Sequence, residues 1–359
     1  MAKSNTNEVM SIISDLRKSF GGSLPNVSEA GKVCRLILSS PKLNYAFGGG
    51  YPIGRITEMF GPESGGKSVL SEYIGGQFQR REDSDQRVVV YIDIEHTFDE
   101  HYANVAGLDT SEDVFILVRP LNGEEGFKIA EELIKTGKIA FIVWDSTTAT
   151  PTASAMEDEY GKRSFGGSAL LFSDGLKKLN PYISRFKTSL NLLTQMRAKI
   201  GNVRPGMPAD APSGGGYAPR FYASWRGRVS KGEDIMDGLE PIGNQIRLKN
   251  VKSKIGFPKR SAELDLYYST GFNSDAEYVD FASKLGIVEK KGSWFSKPEW
   301  DFKGQGSNSL LTFLKDHKDI FEEVKAQINS TFSSFSVLDE QESIDTGTLP
   351  EDEIIEDGQ

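Results

Sequence analysis

Residues 61–68 read Gly-Pro-Glu-Ser-Gly-Gly-Lys-Ser and satisfy the pattern G-x-x-x-x-G-K-[ST] at every position. The short apolar run Arg55 to Phe60 precedes it, and a helical pattern runs from Lys67 to about Arg80. A strand, a glycine-rich turn and a helix, in that order, are the context in which this pattern binds phosphate. Glycines let backbone N–H groups turn inward around phosphate oxygens. The helix start adds its partial positive charge. A nucleotide is therefore expected against Gly61, Pro62, Glu63, Ser64, Gly65, Gly66, Lys67, Ser68 and Val69. Lys67 would neutralise the β and γ phosphates, and Ser68 would offer its hydroxyl to Mg²⁺.

Three further apolar runs, Val88 to Ile92, Ile139 to Trp144 and Ser189 to Thr194, show no polar alternation. Such runs suit a parallel sheet covered on both faces. Helical patterns at Gly123–Thr136 and Ser168–Phe186 separate them, so the fold class is α/β with crossover connections. Beyond residue 220, Phe221–Val229, Gln245–Ile255 and Glu263–Tyr268 read as strands at one sheet edge, antiparallel in part. Asp275–Leu285 and Ser309–Ile328 read as helices of a small α/β domain. The expected organisation is an N-terminal segment 1–32, a core 33–269, a small domain 270–330 and an acidic tail 331–359. The N-terminal segment carries an amphipathic stretch, Glu8 to Phe20, with Met10, Ile12, Ile13 and Leu16 as its apolar stripe. So short a helix needs a surface to dock on, in its own domain or on a neighbouring subunit.

Nucleotide chemistry also needs acids. Asp145 ends the Ile139–Trp144 strand, where a carboxylate can hold the metal shell. Asp93 and Glu95 lie just past the Val88–Ile92 strand, and either could face the γ-phosphate. No Asn-Lys-x-Asp guanine-reading motif is present, which favours ATP. The net charge of −9 is carried by the tail: Asp339–Gln359 contains nine acids and no base, leaving 42 acidic and 42 basic residues before it. The acidic balance thus does not exclude a nucleic-acid partner. Residues 201–222 are too rich in glycine and proline for a helix or strand. Arg197, Lys199, Arg204 and Arg220 flank or enter this stretch, and Arg226 and Arg228 follow it. A basic loop of this kind can track a phosphate backbone without reading sequence, with Ile200 or Met207 as a wedge between bases.

The whole set resembles the bacterial RecA family of homologous-recombination ATPases over roughly residues 8–328. The resemblance runs through residues 54–68, Tyr91–Asp99, Thr194–Lys199, Phe221–Ser224, Val251–Ile255, Gly292–Phe295 and Gly304–Gly306. It implies a RecA-type P-loop ATPase core with a mostly parallel central sheet, a short N-terminal oligomerisation helix and a small C-terminal domain. It implies Glu95 as the catalytic glutamate, Asp99 and Tyr102 at the adenine, and Gln195 as γ-phosphate sensor. Lys252 and Lys254 would be the pair that reaches a neighbouring subunit's ATP, and DNA-binding loops would lie near 157–165 and 200–220. Thr194 stands where the family has Asn, and Lys162, Arg163 and Arg204 make the loops more basic. These departures mark a divergent member, bacterial or phage-encoded.

The implied activity is ATP-dependent filament formation on single-stranded DNA, with homologous pairing against double-stranded DNA. Implied partners are a head-to-tail homo-oligomer and a loader or single-strand-binding protein. A hexameric helicase of the same core, or a DNA-dependent ATPase regulator, is the alternative. A single cysteine, Cys34, forbids an intrachain disulfide. No run approaches the roughly 20 apolar residues of a membrane span, and the polar start, Met1 to Asn7, lacks a signal-peptide core. A cytoplasmic setting is expected.

Overall fold

The computed structural model describes residues 33–159, 166–196 and 216–334, with helical residues 12–16 and 18–19. Lys162, Arg163, Arg197, Lys199, Arg204 and the acidic tail lie outside the described residues, as does most of each expected DNA-binding loop.

A short ribbon, β1 (Arg35–Leu36), encloses α1 (Pro41–Phe47) and returns as β2 (Tyr51–Pro52). Ser40 starts α1 by accepting from the Leu43 N–H at 3.1 Å, with Pro41 in the first turn. The core then alternates strand and helix: β3 (Ile56–Gly61), α2 (Lys67–Gln79), β4 (Val88–Asp93), α3 (Glu100–Ala106), β5 (Phe115–Val118), α4 (Gly123–Lys135), β6 (Ile139–Asp145), α5 (Ala153–Glu157), α6 (Gly167–Phe186) and β7 (Ser189–Gln195). After α7 (Ala218–Tyr222) come β8 (Trp225–Asp237), β9 (Glu240–Ser253), β10 (Ser261–Tyr267) and β11 (Gly271–Phe272). These form one nine-stranded sheet in the order β11-β10-β9-β8-β3-β7-β6-β4-β5. The strands from β8 to β5 are parallel, and β9, β10 and β11 add an antiparallel edge.

The unbroken apolar runs are explained by layers on both faces. Successive residues of a strand point to opposite sides. Val89 and Tyr91 enter the core beneath α1 and α2, with Leu70, Ile74, Phe78 and Phe141. Val90 and Ile92 enter the core beneath α4 and α6, with Phe127, Trp144, Phe172 and Leu176.

The chain ends in α8 (Asp275–Lys284), the three-stranded sheet β12 (Glu289–Lys291), β13 (Trp294–Lys297) and β14 (Phe302–Gln305), then α9 (Ser307–Asp316) and α10 (Lys318–Ser334). They surround a separate core of Tyr278, Val279, Phe295, Leu310, Leu314, Val324 and Ile328, against which Ile37 and Tyr45 of the large domain pack. Glu277 ties the two domains. Its Oε2 accepts from Ser40 Oγ at 2.6 Å and from the Lys42 N–H at 3.0 Å.

Three boundaries differ from those expected. The large sheet runs on to Phe272 in β11, past the expected limit of the core at 269. Phe221 and Tyr222 are helical, not strand, so the end of the stretch 201–222, expected to form neither helix nor strand, is the helix α7, because Pro219 opens a short turn of helix and β8 begins only at Trp225. The last helix continues to Ser334, past the expected limit at 330, because Phe332 is still buried in the small domain's core.

Candidate active site

The phosphate loop joins β3 to α2. Gly66 caps α2 at φ 90°, a left-handed conformation that a side chain disfavours. A Cβ on Gly61 would collide with the Val229 carbonyl, so β8 packs directly against the loop. Lys67 is buried, and its Nζ donates to the Pro62 carbonyl at 2.6 Å and the Gly61 carbonyl at 3.4 Å. Desolvation holds this amine below its ordinary pKa, against the charges of Asp145, Glu95 and Glu63.

Asp145 closes β6. Its Oδ2 accepts from Ser68 Oγ at 2.7 Å and from the Tyr91 hydroxyl at 2.6 Å. Burial raises its pKa, opposed by these two hydrogen bonds. The donors present fit Mg²⁺, which prefers hard oxygen ligands. Ser68 spends its proton on Asp145 and keeps its lone pairs, and a cation would offset the buried carboxylate.

Glu95 follows β4 and is half-buried. Gln195, the last residue of β7, donates from Nε2 to Glu95 Oε1 at 2.7 Å and Oε2 at 2.9 Å. Ser146 Oγ also donates to Glu95 Oε1. Gln195 is fixed in turn through its N–H to Thr148 Oγ1, 3.0 Å.

Asp93 is not the second candidate base it resembles in the sequence. The strand ends at Asp93, whose carboxylate is fully buried and accepts from the Thr97 and Phe98 N–H groups and from Arg119. It folds the turn that presents Glu95. Asp99 caps α3 through the Tyr102 N–H at 2.9 Å, and Tyr102 stands 52% exposed beside it. An exposed aromatic face of this kind can stack on a base.

Lys252 and Lys254 do come to one place. Lys252 Nζ donates to the carbonyls of Arg220 and, at 3.1 Å, Ala223, and Lys254 Nζ donates to Phe221 at 2.7 Å. Both tie the end of β9 to α7, and desolvation followed by the charge of Lys254 lowers the Lys252 pKa.

Arg226 is a correction. Expected at the DNA, it is 5% exposed, donates to Glu58 Oε2 and lies 4.5 Å over the Phe60 ring. A guanidinium desolvated and paired in this way is committed to the core. Arg220 is half-buried in α7, its guanidinium 5.9 Å over Tyr217.

Sequence reasoning missed Tyr91, Ser146, Thr148 and Glu72. Glu72 lies one turn beyond Ser68 on α2, and burial, then the charges of Asp145 and Asp99, push its carboxyl up to about 8. A carboxyl one turn beyond the loop's hydroxyl, on the same helix face, was the available signal.

A phosphate loop at the end of one parallel strand, an acid ending the next but one, and a glutamate beyond a third define a P-loop nucleotide-binding ATPase. The comparisons narrow that class. The family model of the RecA N-terminal domain matches residues 7–273, and that of the RecA C-terminal domain matches residues 276–333. Protein RecA from Lactobacillus johnsonii is 36% identical over 339 residues, covering 92% of this chain and 91% of that protein. Protein RecA from Bacillus thuringiensis is 37% identical over 316 residues, covering 87% and 89%. Protein RecA from Levilactobacillus brevis is 38% identical over 291 residues, covering 81% and 74%. The chain belongs to the RecA family: it is an ATP-dependent recombinase of DNA recombination and repair, with DNA-dependent ATPase activity.

Proposed function

We propose that ATP binds with its phosphates against Gly61–Val69, its adenine against Asp99 and Tyr102, and its γ-phosphate toward Glu95 and Gln195. The observation that carries this reading is the convergence of Lys67, Ser68, Asp145, Glu95 and Gln195 from four chain segments at the C-terminal ends of the parallel strands. Lys67 leaves the loop carbonyls for phosphate oxygens. Ser68 and Asp145 would hold Mg²⁺, which when bound adds positive charge beside the phosphate oxygens. Glu95 orients and deprotonates the attacking water.

Gln195 is the coupling element. Its amide now bridges both Glu95 oxygens. A phosphate oxygen competing for Nε2 frees Glu95 for the water and shifts the end of β7, from which the 200–220 loop departs. Arg197 and Lys199 ahead of that loop, Arg204 in it, Lys162 and Arg163 in the 157–165 loop, and Arg220 in α7 would meet the DNA backbone. Lys252 and Lys254 would reach the triphosphate of the next subunit. A head-to-tail contact that does not close gives a helical filament. Single-stranded DNA held there would be tested against homologous double-stranded DNA, base pairing supplying the specificity. A loader or single-strand-binding protein would act on the same filament. Among the described residues no helix is long and apolar enough to cross a membrane, and we place the protein in the cytoplasm.

The test is Glu95→Gln. ATP binding persists, and DNA-stimulated turnover falls by about 10²–10⁴-fold, the usual range for loss of a general base. A rate within about threefold of the unaltered protein refutes the assignment.

A further inference from the structure

Asp145 is gripped from below by a residue that phosphate-loop chemistry does not require. Tyr91 lies on β4 with only 2% of its surface exposed. Its ring packs against Phe98, centroids 5.0 Å apart, inside the core beneath α1 and α2. The hydroxyl is carried through that apolar layer to Asp145 Oδ2, 2.6 Å away, the oxygen that Ser68 also uses at 2.7 Å. Two donors from different elements, converging on one oxygen, fix the plane of the carboxylate. Ser68 alone would leave it free to turn about that single contact. A buried phenol is also costly to strand, so Tyr91 and Asp145 hold each other.

We propose that Tyr91 is a positioning residue of the divalent-cation site: its hydroxyl locks the Asp145 carboxylate in the orientation that receives the cation beside Ser68. The inference rests on the ATPase reading above. Groups that orient a metal ligand without touching the metal typically change metal affinity by about 10–100-fold when removed. Tyr91 acts on one ligand of a site that phosphates also share, so the lower end applies.

The experiment compares the full chain with Tyr91→Phe, which keeps the ring, its packing on Phe98 and nearly all its volume. A fluorescent ATP analogue is titrated with MgCl₂, and its affinity is measured separately in EDTA. The Mg²⁺ midpoint should rise about tenfold in the variant, while the affinity in EDTA stays within about twofold. Circular dichroism at the working temperature shows that both proteins are folded. A purely structural Tyr91 would lower the melting temperature and leave the Mg²⁺ midpoint where it was, and that result overturns the proposal. Equal losses in EDTA and in Mg²⁺ overturn it too, because they place Tyr91 at the nucleotide. Failure of the unaltered protein to show any Mg²⁺-dependent binding would instead sink the ATPase reading.

Discussion

Replacing Glu277 by Gln should remove a pH dependence from the junction between the two domains. Glu277 belongs to α8 of the small domain, and its carboxyl is buried against the start of α1 in the large one. Burial, against the Ser40 and Lys42 hydrogen bonds and the Lys42 charge, pushes its pKa from the ordinary 4.5 to about 7, and Asp265 adds to the rise. Tyr73 and Tyr278, the other titratable side chains close by, are themselves raised and stay neutral. A raised carboxyl favours the folded state while it is protonated. The contribution is full below about pH 4.5, where folded and unfolded chains both hold the proton, and is lost as pH rises through about 7. At about 1.4 kcal/mol for each factor of ten in proton affinity, the whole window is worth about 3 kcal/mol, an order-of-magnitude figure. The Gln carbonyl can accept the same two hydrogen bonds without a charge to desolvate. Urea unfolding should therefore be followed at about pH 5 and about pH 8 by tryptophan fluorescence, since Trp294 and Trp300 report the small domain while Trp144 and Trp225 report the large. The variant should gain about 2–3 kcal/mol on the unaltered protein between the two conditions. A stability difference that stays constant with pH refutes the reasoning, because it would mean that Glu277 is ionised equally in both states.

The lysine pair and the buried arginine separate interface from core. Lys252→Ala with Lys254→Ala should still bind single-stranded DNA weakly but lose ATP-dependent cooperativity, read from binding isotherms with and without ATP; unchanged cooperativity removes the cross-subunit role. Arg226→Ala should cost about 3–5 kcal/mol in unfolding free energy, because it strands Glu58 as a buried charge. The salt dependence of DNA binding by the folded Arg226→Ala protein should not change, whereas removing a cation that neutralises a DNA phosphate would make the slope shallower by about one.

What could be read from the sequence follows from physical range. The phosphate loop is a local pattern, and its strand-turn-helix context sits within about one helix length of it. Val88–Ile92 and Ile139–Trp144 were legible because both faces of the sheet are covered, which removes polar alternation there, although β7 keeps Ser189, Asn191 and Thr194 buried among its leucines. Contacts that bring distant segments together were not. Arg226 looks like any exposed strand cation until Glu58, 168 residues away, is placed beside it. Tyr91 reads as one more apolar residue of β4, since only the β4–β6 pairing brings its hydroxyl to Asp145. Asp93 and Glu95 looked equivalent because strand alternation was continued past its end; two N–H groups and Arg119 claim Asp93 and stop the strand there. Phe221 and Tyr222 have strand-favouring side chains, yet Pro219 and the packing of α7 against α6 override that preference.

On the proposed reading, the placement of these groups lets the nucleotide site and the segment proposed to meet DNA share one response. Residues 197–215 are bounded on both sides by groups already tied to the chemistry. On the first side, Gln195 holds Glu95, and the next residue, Met196, donates its N–H to the Gly61 carbonyl at 2.9 Å, a direct link to the phosphate loop. On the second side, Lys252 and Lys254 grip the carbonyls of Arg220, Phe221 and Ala223. On the proposed reading the first anchor senses the subunit's own γ-phosphate and the second that of its neighbour. An anion that draws Gln195 from Glu95 displaces the first anchor, and an anion that draws the lysines from α7 displaces the second. Each competes with hydrogen bonds worth about 0.5–3 kcal/mol, small enough for a phosphate to displace and large enough to keep Gln195 and α7 in place when none is bound. On the proposed reading, displacing both anchors then requires two nucleotides and two subunits, so DNA engagement would depend on assembly as well as on ATP.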